Sequence, residues 1–265
     1  MPVTPSRDVP LRDVALWCLQ RRQVLPAPLA GGETAQVRLT DDDVIDAVAE
    51  RPGGAPAHPL DDAAELLLAP QWCFWSGRTG SDGASTLVVG LVRGGDAVVV
   101  TESAQQWSVD RVPAAEVVEA VLTRRPGARP ARLRPLRLSG RALAELAEGT
   151  RRTGSARGGL DTLAARGGDA EAVAVLERVD RSATARGLLG SMTYDTDGAV
   201  LPDSGVVRWV ESPAGAVLVT DDDEGTAAEA ADDTAVRRAA GRLAEQARRR
   251  VVRPVATETR GVGVR

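Results

Sequence analysis

The sequence predicts an α+β fold, built as two similar sheet-plus-helix halves packed about a pseudo-two-fold axis. Three observations lead there. The stretch VGLVRGGDAVVVTES, Val89 to Ser103, returns as VVRWVESPAGAVLVTDD, Val206 to Asp222. Each copy has an apolar run, a Gly-rich or Pro/Gly turn and a β-branched run ending in Thr and an acid, the pattern of a hairpin. Second, the spacing repeats: Trp75 to Tyr194, Ala97 to Ala216, Thr101 to Thr220 and Val117 to Val236 are each 119 residues apart. A period this long marks a duplicated subdomain and not a solenoid. Third, strand, strand, strand, helix is the order in both halves, and two such halves bury their sheet faces best when packed about a common axis.

Taken in order, VPLRDVALWCLQRR (Val9 to Arg22) places Leu11, Val14, Ala15 and Cys18 on one helical face, or else supplies a strand and then a short helix. Pro26 and Pro28 break the pattern. A helix is expected over Thr40 to Arg51, with Val44, Ala47 and Val48 as its stripe, ended by Pro52, Gly53 and Gly54. Asp61 opens a short helix whose Leu66 to Leu68 run stops at Pro70. In the strand QWCFWSG, Trp72 and Phe74 take one face and Cys73 and Trp75 the other, so both faces read as buried. Thr86 to Val92 and Ala97 to Thr101 follow as strands, then a short one at Trp107 to Val109. Pro113 starts a helix with Val117, Val118, Val121 and Leu122 inward and Pro126-Gly127 as its stop.

Arg124 to Arg157 connects the halves and holds a short helix capped by Ser139; a further helix runs from Gly168 to Arg181 with Val173, Leu176 and Val179 near one face. The second half then reads as strands in GLLGSMTYDTDG (from near Gly187), GVVRWVE and GAVLVT, and a long helix from Thr226 with a capping box at Thr226 and Glu229. Its small stripe, Val236, Ala240, Leu243, Ala247 and Val251, suits close packing in the chain's own core or on a partner helix. The domain reading is one domain over 1–265, with a first sheet-plus-helix half at about 61–126, an Arg-rich connector and helices at 127–185 and a second half at about 186–253.

Composition excludes much chemistry. A chain of 265 residues, 43% hydrophobic, can bury a proper core. It contains no lysine, which removes the Walker A lysine, a pyridoxal Schiff base and Ser-Lys activation together. SGRTGSDGAST, Ser76 to Thr86, therefore reads as a flexible hairpin loop and not a phosphate loop. Cys18 and Cys73 have no CxxC spacing and no nearby His, so neither a disulfide framework nor a zinc site is expected. The single histidine, His58, lies in a Pro/Gly-rich linker without a partner motif. YDTDG, Tyr194 to Gly198, lacks the closing Glu of a calcium loop and reads as a turn; Asp221 to Glu224 precedes the expected helix, where acids complement the macrodipole. No catalytic, cofactor-binding or metal-ligating residues are assigned. The amino terminus has no apolar h-region, and no run approaches the roughly 18 apolar residues of a membrane span, so a cytoplasmic protein without membrane contact is expected.

Arg124 to Arg157 holds ten arginines against two acids, Glu145 and Glu148, in a chain of net charge −4. That asymmetry makes an Arg-rich nucleic-acid adaptor one alternative reading. Against it, the segment has no aromatic residue to stack on a base and can pair with the acidic halves. An enzyme working without His or Lys is the other alternative.

Several patterns in order carry a family resemblance: DVALWCLQRRQVLPAPL with its Leu25-Pro26-Ala27-Pro28-Leu29 turn, LLLAPQWCFW, GGDAVVV, and GLLGSMTYDTDG followed by GVVRWVESPAGAVLV. Over roughly Val9 to Arg250 the chain resembles the EspG proteins, cytosolic secretion-associated chaperones of the ESX, or type VII, systems of actinobacteria. Where many members carry Asp-Thr and then Gly-Arg-Tyr, this chain has Glu211-Ser212-Pro213-Ala214-Gly215-Ala216-Val217, so partner identity does not transfer. The resemblance implies an EspG-like fold, a pseudo-two-fold duplicated, mostly antiparallel β-sheet with flanking helical bundles, and a non-catalytic role, keeping soluble a helical ESX secretion substrate, a PE–PPE-like or WXG100-like pair. It also implies contacts from the loop Gly77 to Ala84, here Arg78, Thr79, Ser81 and Asp82, and from helices carrying Leu143, Leu146, Leu176, Val236 and Leu243. No cofactor is implied, and the sequence also allows a homo-dimer.

Overall fold

A strand that is apolar on both faces belongs inside a covered sheet, and WCFW lies there. The structure is a computed structural model describing residues 7–31, 40, 58–103, 106–124, 129–165, 169–201, 205–222 and 225–252. Among the described residues ten strands run in chain order: β1 (Arg7–Pro10), β2 (Trp72–Gly80), β3 (Ser85–Arg93), β4 (Asp96–Ser103), β5 (Gln106–Pro113), β6 (Leu136–Ser139), β7 (Ala185–Thr193), β8 (Val206–Ser212), β9 (Gly215–Asp222) and β10 (Gly225–Ala230). The helices among the described residues are α1 (Leu11–Arg21), α2 (Ala64–Leu68), α3 (Val117–Thr123), α4 (Gly140–Thr153), α5 (Ala156–Ala165), α6 (Ala170–Arg181) and α7 (Asp233–Val252).

All ten strands form one sheet in the order β1-β5-β4-β3-β2-β7-β8-β9-β10-β6, each neighbouring pair antiparallel. The order is symmetric about the β2–β7 seam, with β1 to β5 answered by β6 to β10. Registers repeat too: Val92 pairs with Ala97 as Glu211 pairs with Ala216, and Val9 with Trp107 as Leu138 with Thr226. Thus Ala97/Ala216 and Thr101/Thr220 are true counterparts. Trp75 and Tyr194 are not: Trp72 pairs with Val92 and Ala185 with Glu211, so Trp75 answers to Leu188, and Tyr194 lies one residue past β7.

One face of the sheet is covered by α3 and α7. Trp72, Phe74, Val88, Val92, Leu189, Val207, Trp209 and Leu218 pack there against Val117, Val121, Val236, Ala240 and Leu243. The small stripe of α7 therefore lies in the chain's own core. The other face carries two separate clusters, one under α1 and α2, the other under α6, and a further cluster joins β6 to the α4–α5–α6 bundle.

Several expected boundaries are corrected. The predicted helix from Thr226 begins instead at Asp233; Gly225–Ala230 is a strand between β9 and β6. Two neighbours supply its backbone partners, and that outweighs the helix preference of Ala227, Ala228 and Ala230. Thr226 Oγ1 donates to Asp221 Oδ1, so it does not cap, and Asp232 Oδ1 accepts from the Ala235 amide instead. Pro113 ends β5, and α3 starts at Val117. The first segment contains both readings, a strand and then a helix, with Trp17 buried beside Leu11 and Val14. Ser139 caps α4 as expected, accepting from the Ala142 amide at 3.2 Å. No element is assigned from the sequence between Arg157 and Gly168, where most of α5 lies; a Cβ on Gly158 or Gly159 would lie 1.9 Å from Thr153 Oγ1 or 2.3 Å from Thr150 Oγ1 on α4, so these glycines let the two helices touch. Most of the expected helix at Thr40 to Arg51, the stop at Pro126-Gly127, and Asp223 and Glu224 lie outside the described residues.

At the seam, Trp75 pairs with Gly190, and a Cβ on Gly190 would sit 2.5 Å from the indole. Gly190→Ala is expected to destabilise by about 1–3 kcal/mol through overpacking; urea denaturation measures this, and adding Trp75→Phe should recover part of the loss.

Candidate functional site

The two halves cover the second sheet face differently. In the first half that face presents Trp75, Val89, Leu91, Val98, Val100, Trp107 and Val109, all buried beneath Leu11, Val14, Trp17, Leu29, Leu60 and Leu67. The registers above place Leu188, Arg208, Val210, Val217, Val219, Thr226 and Ala228 at the same positions of the second half. There α6 covers Val217 and Ala228 with Val175, Leu176 and Val179. The remainder is less covered: Val210 and Val219 are half-buried, Leu188 is 38% exposed, and Val206, further along β8, is 42% exposed.

Two causes are visible. Where the first half has Trp75 and Trp107, the second has Leu188 and Thr226, so bulk is missing. And where the chain after α1 returns to the sheet with Leu25 and Leu29, the chain after α4 continues as α5 and packs on α4. The result is a groove of about 690 Å³. Its floor includes Gly77, Leu87, Leu188, Val210 and Val219; Leu176 and Val179 of α6 form one wall, and Pro28 borders it from the first half.

Polar groups ring this apolar floor. Arg186 Nη2 donates to Asp180 Oδ1 at 2.7 Å and Arg208 Nη2 to Asp221 Oδ2 at 2.5 Å, pairs that are more than half exposed and contribute little to stability. Arg78 Nη2 donates to Glu211 Oε2 at 3.1 Å, bridging β2 to β8 across β7. Glu102, fully inside, accepts from the Trp107 indole at 2.8 Å; at the equivalent place Asp221 accepts from Thr226 at 2.6 Å. Tyr194 holds the Pro28 border: its hydroxyl donates to the Ala27 carbonyl and lies 3.1 Å from Cys73 Sγ. Behind that border, Asp61 accepts from the Trp17 indole and from Arg21, bonds that hold its carboxyl below the usual range.

Burial pushes the Cys18 thiol up to about 11 and the Cys73 thiol up to about 12, so neither is a thiolate near neutral pH. Burial lowers the pKa of His58 below its ordinary value, and its Nδ1 accepts from the Leu60 amide. Among the described residues no group of three or more His, Cys, Asp or Glu side chains could hold a metal ion. Among them, too, no helix is long and apolar enough to cross a membrane.

Of the residues singled out in the sequence, Arg78, Thr79 and Leu176 line the groove. Arg78 and Thr79 are strand residues, because β2 continues to Gly80 and the loop shortens to Ser81 to Ala84. Ser81 and Asp82 occupy that turn, where Asp82 Oδ1 accepts from the Ala84 amide. Leu143 and Leu146 pack half-buried within the α4–α5–α6 bundle. Val236 and Leu243 are buried on the opposite sheet face, away from the groove. Leu87, Leu188, Arg208, Val210 and Val219 were missed. The signal that finds them is the repeat itself, in which an arginine, Arg208, stands 119 residues after the core valine Val89.

A symmetric ten-stranded sheet with helices on both faces and a groove on one side of its seam defines a duplicated α+β scaffold. The chain belongs to the EspG family, whose model matches residues 14–242. Its structure is similar to that of the Mycobacterium tuberculosis type VII secretion system chaperone EspG5, solved in complex with a PE25–PPE41 dimer. That likeness covers 91% of this chain and 96% of the other, with a TM-score of 0.66 at 16% identity, and so is one of fold. No curated protein sequence matches the chain.

The unequal use of equivalent positions has a measurable consequence. Val89→Ala should cost about 2 kcal/mol in chemical denaturation, whereas Arg208→Ala, with a side chain 55% exposed, should change stability by less than about 0.5 kcal/mol.

Proposed function

We propose that this protein is a cytosolic specificity chaperone that binds the apolar tip of a helical ESX secretion substrate and keeps it soluble. The carrying observation is the groove: positions that are core in one half are left open in the other, on a folded scaffold. Exposed apolar floor with a polar rim is the composition of a docking surface. A helix tip whose apolar residues lack a partner aggregates, and burying them in a preformed groove prevents that. Membership of the EspG family supports the role, and a solved relative of the same fold holds a PE–PPE dimer, the class of partner we assign here. The role is non-catalytic: the thiols are held protonated and His58 sits in a turn, hydrogen-bonded to neighbouring backbone. The residues proposed to meet the partner are Arg78, Thr79 and Leu176 with Leu188, Val210 and Val219; Ser81 and Asp82 stand beside them at the β2–β3 turn.

The test is co-expression with a PE–PPE-like pair from the same genome. The pair should become soluble and co-elute with the wild-type chain, and Leu188→Asp, at a position already 38% exposed, should abolish co-elution while leaving the circular dichroism spectrum and thermal midpoint in place. A pair equally soluble alone, or one that co-elutes unchanged with Leu188→Asp, would sink the groove reading for that substrate.

A further inference from the structure

Arg208 stands where the scaffold has a core valine in its other half. Val89 is completely buried, while Arg208, at the same place in the second half, has a side chain 55% exposed on the groove floor. Leu188 and Thr226, in place of tryptophans, make room. The arginine makes no room; it sets a cation between Leu188 and Val219, its neighbours on β7 and β9. An occupant that covered this floor with hydrocarbon alone would desolvate a guanidinium without offering it an acceptor, at a large cost.

Its present partner does not close that gap. Asp221 holds Arg208 from the next strand at 2.5 Å, is itself 54% exposed, and is shared with Thr226 Oγ1 at 2.6 Å. Arg208 lines the groove and Asp221 does not. The other charged groups on the lining have the same bias: Arg78 and Arg186 are cations, and the acids Asp180 and Glu102 are bonded to Arg186 and to the Trp107 indole. An incoming tip meets the cationic ends of the Arg208–Asp221 and Arg78–Glu211 pairs, and both ends of Arg186–Asp180.

Resting on the docking reading above, we infer that Arg208 is a specificity-determining residue. It selects a tip whose apolar turn carries a carboxylate side chain and disfavours one that carries a cation there. The occupant's carboxylate would take a charge-assisted bond from the guanidinium as water leaves the groove.

The probe is a set of stapled helical hairpin peptides, alike in two tip leucines and differing at one flanking residue, Glu, Gln or Lys. They are titrated into the full chain and read by fluorescence anisotropy. The wild type should bind the Glu hairpin about 10-fold more tightly than the Lys hairpin, with Gln between, and the gap should narrow at high salt. Arg208→Leu should bind all three alike and the Gln hairpin at least as well as the wild type does. Asp221→Asn, which frees the guanidinium, should widen the Glu-to-Lys gap. Equal wild-type affinities, or a preference that survives Arg208→Leu, would overturn the inference and leave the docking reading standing. Failure of every hairpin to bind the wild type would overturn the docking reading, and this inference with it.

Discussion

Nine residues of β2 paired with nine of β7 join the two halves of this molecule. Each half without the other would end in a strand with a bare row of backbone donors and acceptors and with large apolar side chains on both faces. The seam is tight because bulk meets glycine across it and beside it: Trp75 lies over Gly190, and the Trp209 ring lies over Gly187. Coverings on both faces depend on it as well. On one, α7 packs over both β7 and β2; on the other, Tyr194 at the end of β7 holds the segment that carries Pro28. The groove floor is shared too, since Gly77 of β2 and Leu188 of β7 pair across the seam and both line it.

Symmetry makes the backbone twice and leaves side chains to differ. In the first half the face beneath α1 and α2 is closed by two tryptophans and by leucines from the turns. In the second, the same backbone carries Leu188, Arg208 and Thr226, and the helix following α4 packs on α4 instead of on the sheet. A rigid closed half can thus support an open one, and binding surface is gained without loosening the common frame. Glu102 and Asp221 show the divergence in one position: the same strand register holds a buried carboxylate under an indole in one half and an exposed carboxylate beside an arginine in the other.

The sheet was largely legible in the sequence because strands buried on both faces leave an unmistakable apolar run, and because hairpin turns at Gly94 and Ala214 mark its spacing. The failures have specific causes. β10 is alanine-rich and is a strand only because β9 and β6 flank it, a fact no local window contains. β1 and β6 are four residues each and lie at the outer edges, too short for a period to show. α5 hides behind paired glycines whose purpose is close approach to α4. Half of the candidate site was legible through family resemblance, at Arg78, Thr79 and Leu176. The floor was not, because Leu188 and Val210 look like ordinary strand interior until Leu188 and Thr226 are seen to stand where the other half has tryptophans. The stripe with Val236 and Leu243 fits a core or a partner helix equally, the family resemblance implied partner contact, and the sheet beneath α7 places both residues in the core.

The separation of β2 from β7 along the chain also orders events in time. Synthesis proceeds from the amino terminus, so β2 is complete when Gly80 has been added, yet its partner begins only at Ala185. Throughout that interval β3 can pair on one side while the other edge, bearing Trp72, Phe74 and Trp75, has no native strand to meet. Contacts this distant in sequence form late and expose apolar edges while they wait. The nascent chain thus passes through a stage in which it resembles the kind of client we assign to its finished form.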